Sequence, residues 1–241
     1  MKQIKSRFTL VEMLAVVAIA SILIALITPS VQKMLFGNTV DQCTSNLKLA
    51  LEQAQSKAVA SRKYVALILP TDHSNAKADM KPYCKSGYRM AFVKKEGDTY
   101  KFANWIPGSE WKNPNNGAML ANITNVSPGD TADAREAWAE TVKGELTPAK
   151  VAGKFANLSD VDLGGVSEPD FDALGSGGTQ RCAIIFSPYG GIVNNDLPLY
   201  FTVTECKHNG SDYELENPDN FLVLKLNAIT GRITYFDPYA E

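Results

Sequence analysis

Between Phe8 and Ile27 the chain reads FTLVEMLAVVAIASILIALI, twenty residues in which Glu12 is the one charge. A helix rising about 1.5 Å per residue carries such a run through roughly 30 Å, the thickness of a bilayer hydrocarbon core. The pattern then changes. Over residues 39–62 (TVDQCTSNLKLALEQAQSKAVASR) Leu47, Leu51, Ala54 and Ala58 recur at spacings of four, three and four, which places them on one stripe of an amphipathic helix. A stripe of this kind predicts a stem packed on the chain's own sheet. Pro29 lacks an N–H and its ring clashes with the preceding turn, so a kink is expected there, and Gly37-Asn38 permits a bend before the stem.

After the stem the period falls to that of strands. Residues 64–69 (YVALIL) form a continuous apolar strand closed by Pro70. Residues 88–95 (YRMAFVKK) and 99–106 (TYKFANWI) flank Glu96-Gly97-Asp98, a three-residue connection suited to a hairpin. Gly, Pro, Asn and Asp then dominate residues 107–179, where one helical patch over 130–143 has Asp130 or Thr131 as its cap and Ala137, Trp138 and Val142 as its inner face. Alternation returns in 182–193 (CAIIFSPYGGIV), 197–205 (LPLYFTVTE) and 221–237 (FLVLKLNAITGRITYFD), the last folding back at Thr230-Gly231. An antiparallel sheet should therefore close the body.

Charge adds an orientation. Lys2, Lys5 and Arg7 precede the apolar run, and the positive-inside rule keeps them in the cytoplasm and sends everything after Thr28 outward. Ordinary signal-peptide removal fits poorly, because the small-x-small triplet Ala18-Ile19-Ala20 lies inside the run. Beyond Thr28 the chain carries 21 of its 24 Lys and Arg against 25 of its 26 Asp and Glu, a mildly acidic body with no overall pull on nucleic acid. Lys94 and Lys95 with Tyr100 and Trp105 make the one basic and aromatic cluster that DNA capture would want.

Candidate chemistry is sparse. There is no HExxH, GxSxG, P-loop or strand-linked GxGxxG, so no catalytic residues are nominated and the chain is read as a non-enzyme without cofactor. His73 and His208 stand in polar, separate contexts, and Gly175 to Gly178 reads as a linker. Asp160, Asp162, Glu168, Asp170 and Asp172 invite a calcium loop but lack EF-hand spacing and read as a solvated acidic loop. Four cysteines without a CxxC pair and only two histidines leave no metal site. In an exported body the even count permits disulfides; Cys182 with Cys206 is the favoured pair because each borders a strand, and buried free thiols are the alternative.

A plain membrane anchor does not account for Glu12. An acid deep in such a helix costs on the order of 2 to 3 kcal/mol and calls for a partner once the protein is assembled. The sequence KSR-FTLVEML, the apolar run behind it and Pro29 resemble the prepilin N-terminal cleavage and methylation motif. The resemblance implies a basic leader, residues 1–7, cut between Arg7 and Phe8 by a prepilin peptidase. It also implies N-methylation of Phe8, and makes Glu12 the fifth mature residue and Pro29 the twenty-second. Arg7 departs from the pattern, which usually has Gly before the cut. Physically, the freed ammonium of Phe8 in one subunit can neutralise the Glu12 carboxylate of its neighbour, so that Glu12 pins subunit register.

Softer matches follow in NLKLALEQAQSKAVASRKYVALIL, in Phe186-Ser187-Pro188-Tyr189-Gly190 and in Thr230-Gly231-Arg232, which are similar to the H-type minor pseudopilins and minor pilins. The fold expected is α+β and pilin-like: a long N-terminal hydrophobic helix, transmembrane over 8–28 and an amphipathic stem over 29–62, packed on an antiparallel β domain over 63–241 with a variable insertion at 107–179. By resemblance the chain is a structural subunit of a type IV pilus or a type II secretion pseudopilus. Its partners would be other pilin subunits, the prepilin peptidase and an inner-membrane assembly platform. The body would face the periplasm and then stand in a filament. The alternative is a surface-exposed minor pilin that captures a ligand in adhesion or DNA uptake.

Overall fold

The structure is a computed structural model that describes residues 10–70, 83–112, 117–148, 155, 158–162, 180–193, 197–208 and 213–239. It is α+β. Among the described residues two helices, α1 (Leu10–Ser61) and α2 (Ala132–Glu145), accompany nine strands. In chain order these are β1 (Tyr64–Ile68), β2 (Arg89–Glu96), β3 (Thr99–Trp105), β4 (Gly117–Thr124), β5 (Ser159–Asp162), β6 (Gln180–Phe186), β7 (Leu199–His208), β8 (Tyr213–Leu226) and β9 (Ile233–Phe236).

The chain divides into two compact units, Met1–Asn38 and Thr39–Glu241, with the boundary directly after the Gly37-Asn38 joint. Helix α1 runs unbroken through Pro29 and through that joint. In the first unit, Leu10, Val11, Leu14, Val17 and Ile24 each keep more than half of their surface exposed. Ser21 is accommodated there by donating to the Val17 carbonyl at 2.8 Å, the usual way a hydroxyl is satisfied inside a helix. Among the described residues no helix is long and apolar enough to cross a membrane. The expected span starts at Phe8 and so begins outside them.

In the second unit the stem part of α1 turns Val40, Cys43, Leu47, Leu51, Ala54 and Ala58 inward, each at most 4% exposed. The four positions of the sequence stripe are all among them. Two sheets meet this stripe. Strands β1-β2-β3-β5-β6 close into a barrel, and β4-β7-β8-β9 form an open four-stranded sheet. The single antiparallel sheet read from the sequence is therefore two, and β3 pairs with β5 in parallel through Tyr100↔Val161 and Lys101↔Asp162. The hairpin stands where the pattern put it, but Glu96 pairs with Thr99, which leaves a two-residue turn at Gly97-Asp98. Gly97 has φ +62°, a value at which a Cβ is penalised.

Strand alternation sorts the side chains into layers. Odd positions of β7 (Leu199, Phe201, Val203) face the stem together with Ala118, Leu120, Leu224, Leu226, Ile184 and Phe186. The barrel interior holds Ala66, Ile68, Val93, Tyr100, Phe102, Val161 and Ile185. Behind the open sheet, α2 adds Trp138, Ala139 and Val142 against Tyr200 and Val223. Thr131 caps α2, its hydroxyl accepting from Ala134 N–H at 3.2 Å. The inner face expected for this helix is corrected at one position: Ala139 is buried in place of Ala137.

Candidate functional site

Of the residues tied to processing and assembly, Arg7 and Phe8 lie outside the described residues. Glu12 and Pro29 lie within α1, but their side chains do not belong to the described set. The geometry that can be built is where the stem meets the body. Gln55 sits on the stem, and its side-chain amide donates to the carbonyl of Gly190 at 3.0 Å and to that of Thr230 at 2.7 Å. One side chain thereby ties together α1, the turn after β6 and the turn between β8 and β9. These are the three segments whose sequences carried the softer resemblance.

Both turns are shaped to accept this tie. Asn227 Oδ1 receives the N–H groups of Ile229 (3.1 Å) and Thr230 (2.9 Å) and the Thr230 hydroxyl (3.0 Å), which winds the β8–β9 turn. Ile192 N–H donates to Ala228 O at 2.8 Å, stitching the two turns. Gly231 has φ +66°, and a Cβ there would collide with the Gly190 carbonyl and with Gln55 Nε2. Only glycine allows so close an approach of two backbones and the Gln55 side chain. From the tips, Tyr189 at 94% and Ile229 at 81% exposure project into solvent, a pair of apolar side chains held on rigid turns.

Beside the junction, between the stem and the β2–β3 hairpin with the loop after it, lies a groove of 590 Å³ lined by Gln53, Ser56 and Ala60 on one wall and Met90, Ile106 and Pro107 on the other. The aromatic residues weighed for DNA capture turn inward instead: Tyr100 is 2% exposed inside the barrel. Trp105 stacks edge-on between Phe102 and Trp111, at 5.1 and 5.7 Å, under the Arg89 guanidinium at 4.0 Å. Trp138 belongs to the α2 cluster with Tyr200 and Phe236. Among the described residues no group of three or more His, Cys, Asp or Glu is placed to hold a metal ion.

The cysteines are free thiols and all four are buried, so the favoured Cys182–Cys206 disulfide is not formed. Its physical obstacle is the β4–β7 sheet. Cys182 lies in the core that faces the stem, with its thiol 4.0 Å from the Phe155 carbonyl. Cys206 lies behind the sheet with Met119, Ala121 and Tyr213. A group that sequence reading passed over stands near them. Lys85 is 2% exposed, adopts φ +60°, and holds its ammonium 4.2 Å from the centre of the Phe155 ring. Burial brings its pKa down to about 8, opposed by the neighbouring Cys182, Cys84 and Cys206 sulfurs. Burial likewise lifts Cys43 and Cys206 to about 12.

No family model matches the chain, and no curated protein matches it. Solved structures do. The type IV minor pilin FimU of Pseudomonas aeruginosa is similar over 84% of this chain and 92% of its own, with 12% identity and a TM-score of 0.39. The minor pseudopilin EpsH of the Type 2 Secretion System of Vibrio cholerae is similar over 84% of this chain and 99% of its own, with 9% identity and a TM-score of 0.39.

Sequence reading missed Gln55 and Lys85 for different reasons. A glutamine on the flank of an apolar stripe looks like any solvated helix residue, and its role depends on two turns 135 and 175 residues away. Lys85 falls in a short polar stretch after Pro82, where nothing local announces burial. The pair Gly190 and Gly231 was visible as turn glycines, but their mutual contact was not.

Proposed function

We propose that the chain is a minor subunit of a type IV pilus or a type II secretion pseudopilus that assembles through its N-terminal helix. The observation that carries this reading is Glu12, one acid at the fifth position of a twenty-residue apolar run that opens with Phe8 behind a basic leader. The exposed apolar side chains of Leu10 to Ile24 support it, since such a surface is stable only when lipid or other helices cover it.

In this reading a prepilin peptidase cuts between Arg7 and Phe8, and Phe8 is N-methylated. The helix spans the inner membrane once, with the body in the periplasm, until the assembly platform inserts it among other pilin subunits. In the filament the Phe8 ammonium of one subunit pairs with Glu12 of the next, cancelling two charges that an apolar core penalises.

Mass spectrometry of protein extracted from its native envelope should find an N-methylated peptide starting at Phe8; an intact Met1 start sinks the processing step. Glu12→Ala should cut incorporation into sheared filaments severalfold while leaving the circular dichroism of the body unchanged. Wild-type incorporation of that variant would remove Glu12 from assembly.

A further inference from the structure

A closed barrel has no edge, but the open sheet has two, β4 and β9. At β4 the turn that carries Lys85 is already bonded to the strand, Leu120 N–H donating to Lys85 O at 2.9 Å. The other edge differs. The pairing of β9 with β8 continues from the turn, where Asn227 N–H donates to Arg232 O at 2.9 Å. Bonded pairs alternate in an antiparallel ladder, so Thr234 and Phe236 point their amides and carbonyls at Lys225 and Val223, while Ile233 and Tyr235 point theirs away from β8. Among the described residues these four outward groups meet no hydrogen-bond partner. Ile233 and Tyr235 line a groove of 580 Å³ whose other wall is the stem, with Lys48, Glu52 and Gln55. Ile233 is 5% exposed, so its outward N–H and carbonyl are nearly covered without being bonded, a state that costs free energy until a partner arrives.

We propose that this groove takes an added strand: an extended, acidic segment of a partner protein pairs with β9 and becomes the fifth strand of the open sheet. An extended backbone presents N–H and C=O groups at the two-residue repeat that Ile233 and Tyr235 require, whereas a helix has bonded its own internally. Charge selects the segment. Two cations, Lys48 and Arg232, line the groove against one acid, Glu52. The Lys48 ammonium is 3.9 Å from Glu52 and 4.9 Å from the centre of the Tyr235 ring, and among the described residues the exposed Arg232 makes no ion pair. Arg232 precedes β9 and Lys48 sits by Tyr235 near its far end, so a carboxylate at either end of the added segment meets a cation. A second copy of β9 is the poorer occupant, because Ile233–Phe236 carries no acid. The site lies wholly in the second unit, and it stands whether or not the chain enters a filament.

The full chain in detergent is mixed with a synthetic peptide of alternating threonine and valine that carries glutamate at both ends, and separately with a twin that carries lysine there. Hydrogen–deuterium exchange is read at single amides. The acidic peptide should slow exchange at Ile233 and Tyr235 by about tenfold or more, and the lysine peptide should not. Tyr235→Pro removes an outward N–H, a loss that an edge strand tolerates, and Tyr235→Ala keeps that N–H. The proline variant should bind the acidic peptide about fivefold to tenfold more weakly than the alanine variant. Rapid exchange at Thr234 and Phe236 would reveal a proline variant that has lost its pairing with β8, and Arg232→Glu then decides, since it should reverse the preference between the two peptides. Unchanged exchange at Ile233 and Tyr235 with the acidic peptide in millimolar excess, or equal binding of the two peptides, overturns the proposal. Protection of these amides that grows with protein concentration in the absence of peptide would make a second copy the occupant, and it too overturns the proposal.

Discussion

Lys85 is a charged side chain buried at 2% exposure, and its burial is costly. Its ammonium has exchanged water for an aromatic face and a set of weakly polar sulfurs, and a cation–π contact returns only part of the lost hydration. The folded pKa of about 8 lies below the value of 10.5 for the free side chain. Below pH 8 both folded and unfolded chains hold the proton and the penalty is felt in full. Between about pH 8 and 10.5 the unfolded chain keeps a proton that the folded chain has released, so this group makes stability rise with pH. Cys206 acts in the opposite sense between 9.0 and about 12, because its folded pKa is raised. Comparing Lys85→Met with wild type isolates the lysine. The variant should be about 1 to 3 kcal/mol more stable at pH 7, and its advantage should shrink toward zero by about pH 10.5. Urea unfolding across that range measures it, and an advantage independent of pH would mean that the ammonium is not the source.

At the scale of elements, the stem is held by a wide apolar stripe and one polar tie. The stripe supplies most of the energy: seven inward apolar residues, Ala50 among them, at most 4% exposed, each contributing on the order of 1 to 3 kcal/mol where large. Gln55 supplies registry, because its amide reaches two carbonyls on two different turns. Gln55→Leu leaves both carbonyls without this donor and should cost about 1 to 3 kcal/mol, read as a lower urea midpoint with an unchanged slope. Gly231→Ala should cost at least as much, since a Cβ meets the Gly190 carbonyl at a left-handed φ. Combining the two should give less than the sum, because both act on the same close approach; full additivity would refute the shared junction. How far this was legible varies by element. Helix α1, the β2–β3 hairpin and α2 declare themselves through period, cap and turn chemistry within a dozen residues. Strand β4 does not: GAMLANIT opens with glycine and is interrupted by Asn122, and it becomes a strand only because β7 pairs along it from Gly117↔Cys206 to Thr124↔Tyr200.

For the whole molecule, the unit boundary at Asn38–Thr39 makes a contrast that can be tested. Every residue of the core facing the stem, from Val40 to Ile233, belongs to the second unit. A chain starting at Thr39 should therefore fold, remain soluble and unfold in one cooperative transition. A chain starting at Lys63 loses Val40, Cys43, Leu47, Leu51, Ala54 and Ala58 from that core and should be recovered only as aggregate. A well-folded chain from Lys63 would mean that the stem is an accessory and that its tie to the body carries little.

The sequence alone determined the long helix, the basic-to-apolar order of its start, the solitary acid at Glu12 and the stem stripe, since each is a pattern written within a few turns of one element. Tertiary structure decided the division into a barrel and an open sheet, the parallel β3–β5 pair, the layer in which each cysteine lies and the partners of Gln55. Those depend on which distant strand pairs with which, and pairing is chosen by the joint burial of all the apolar faces at once, a quantity that no single segment contains.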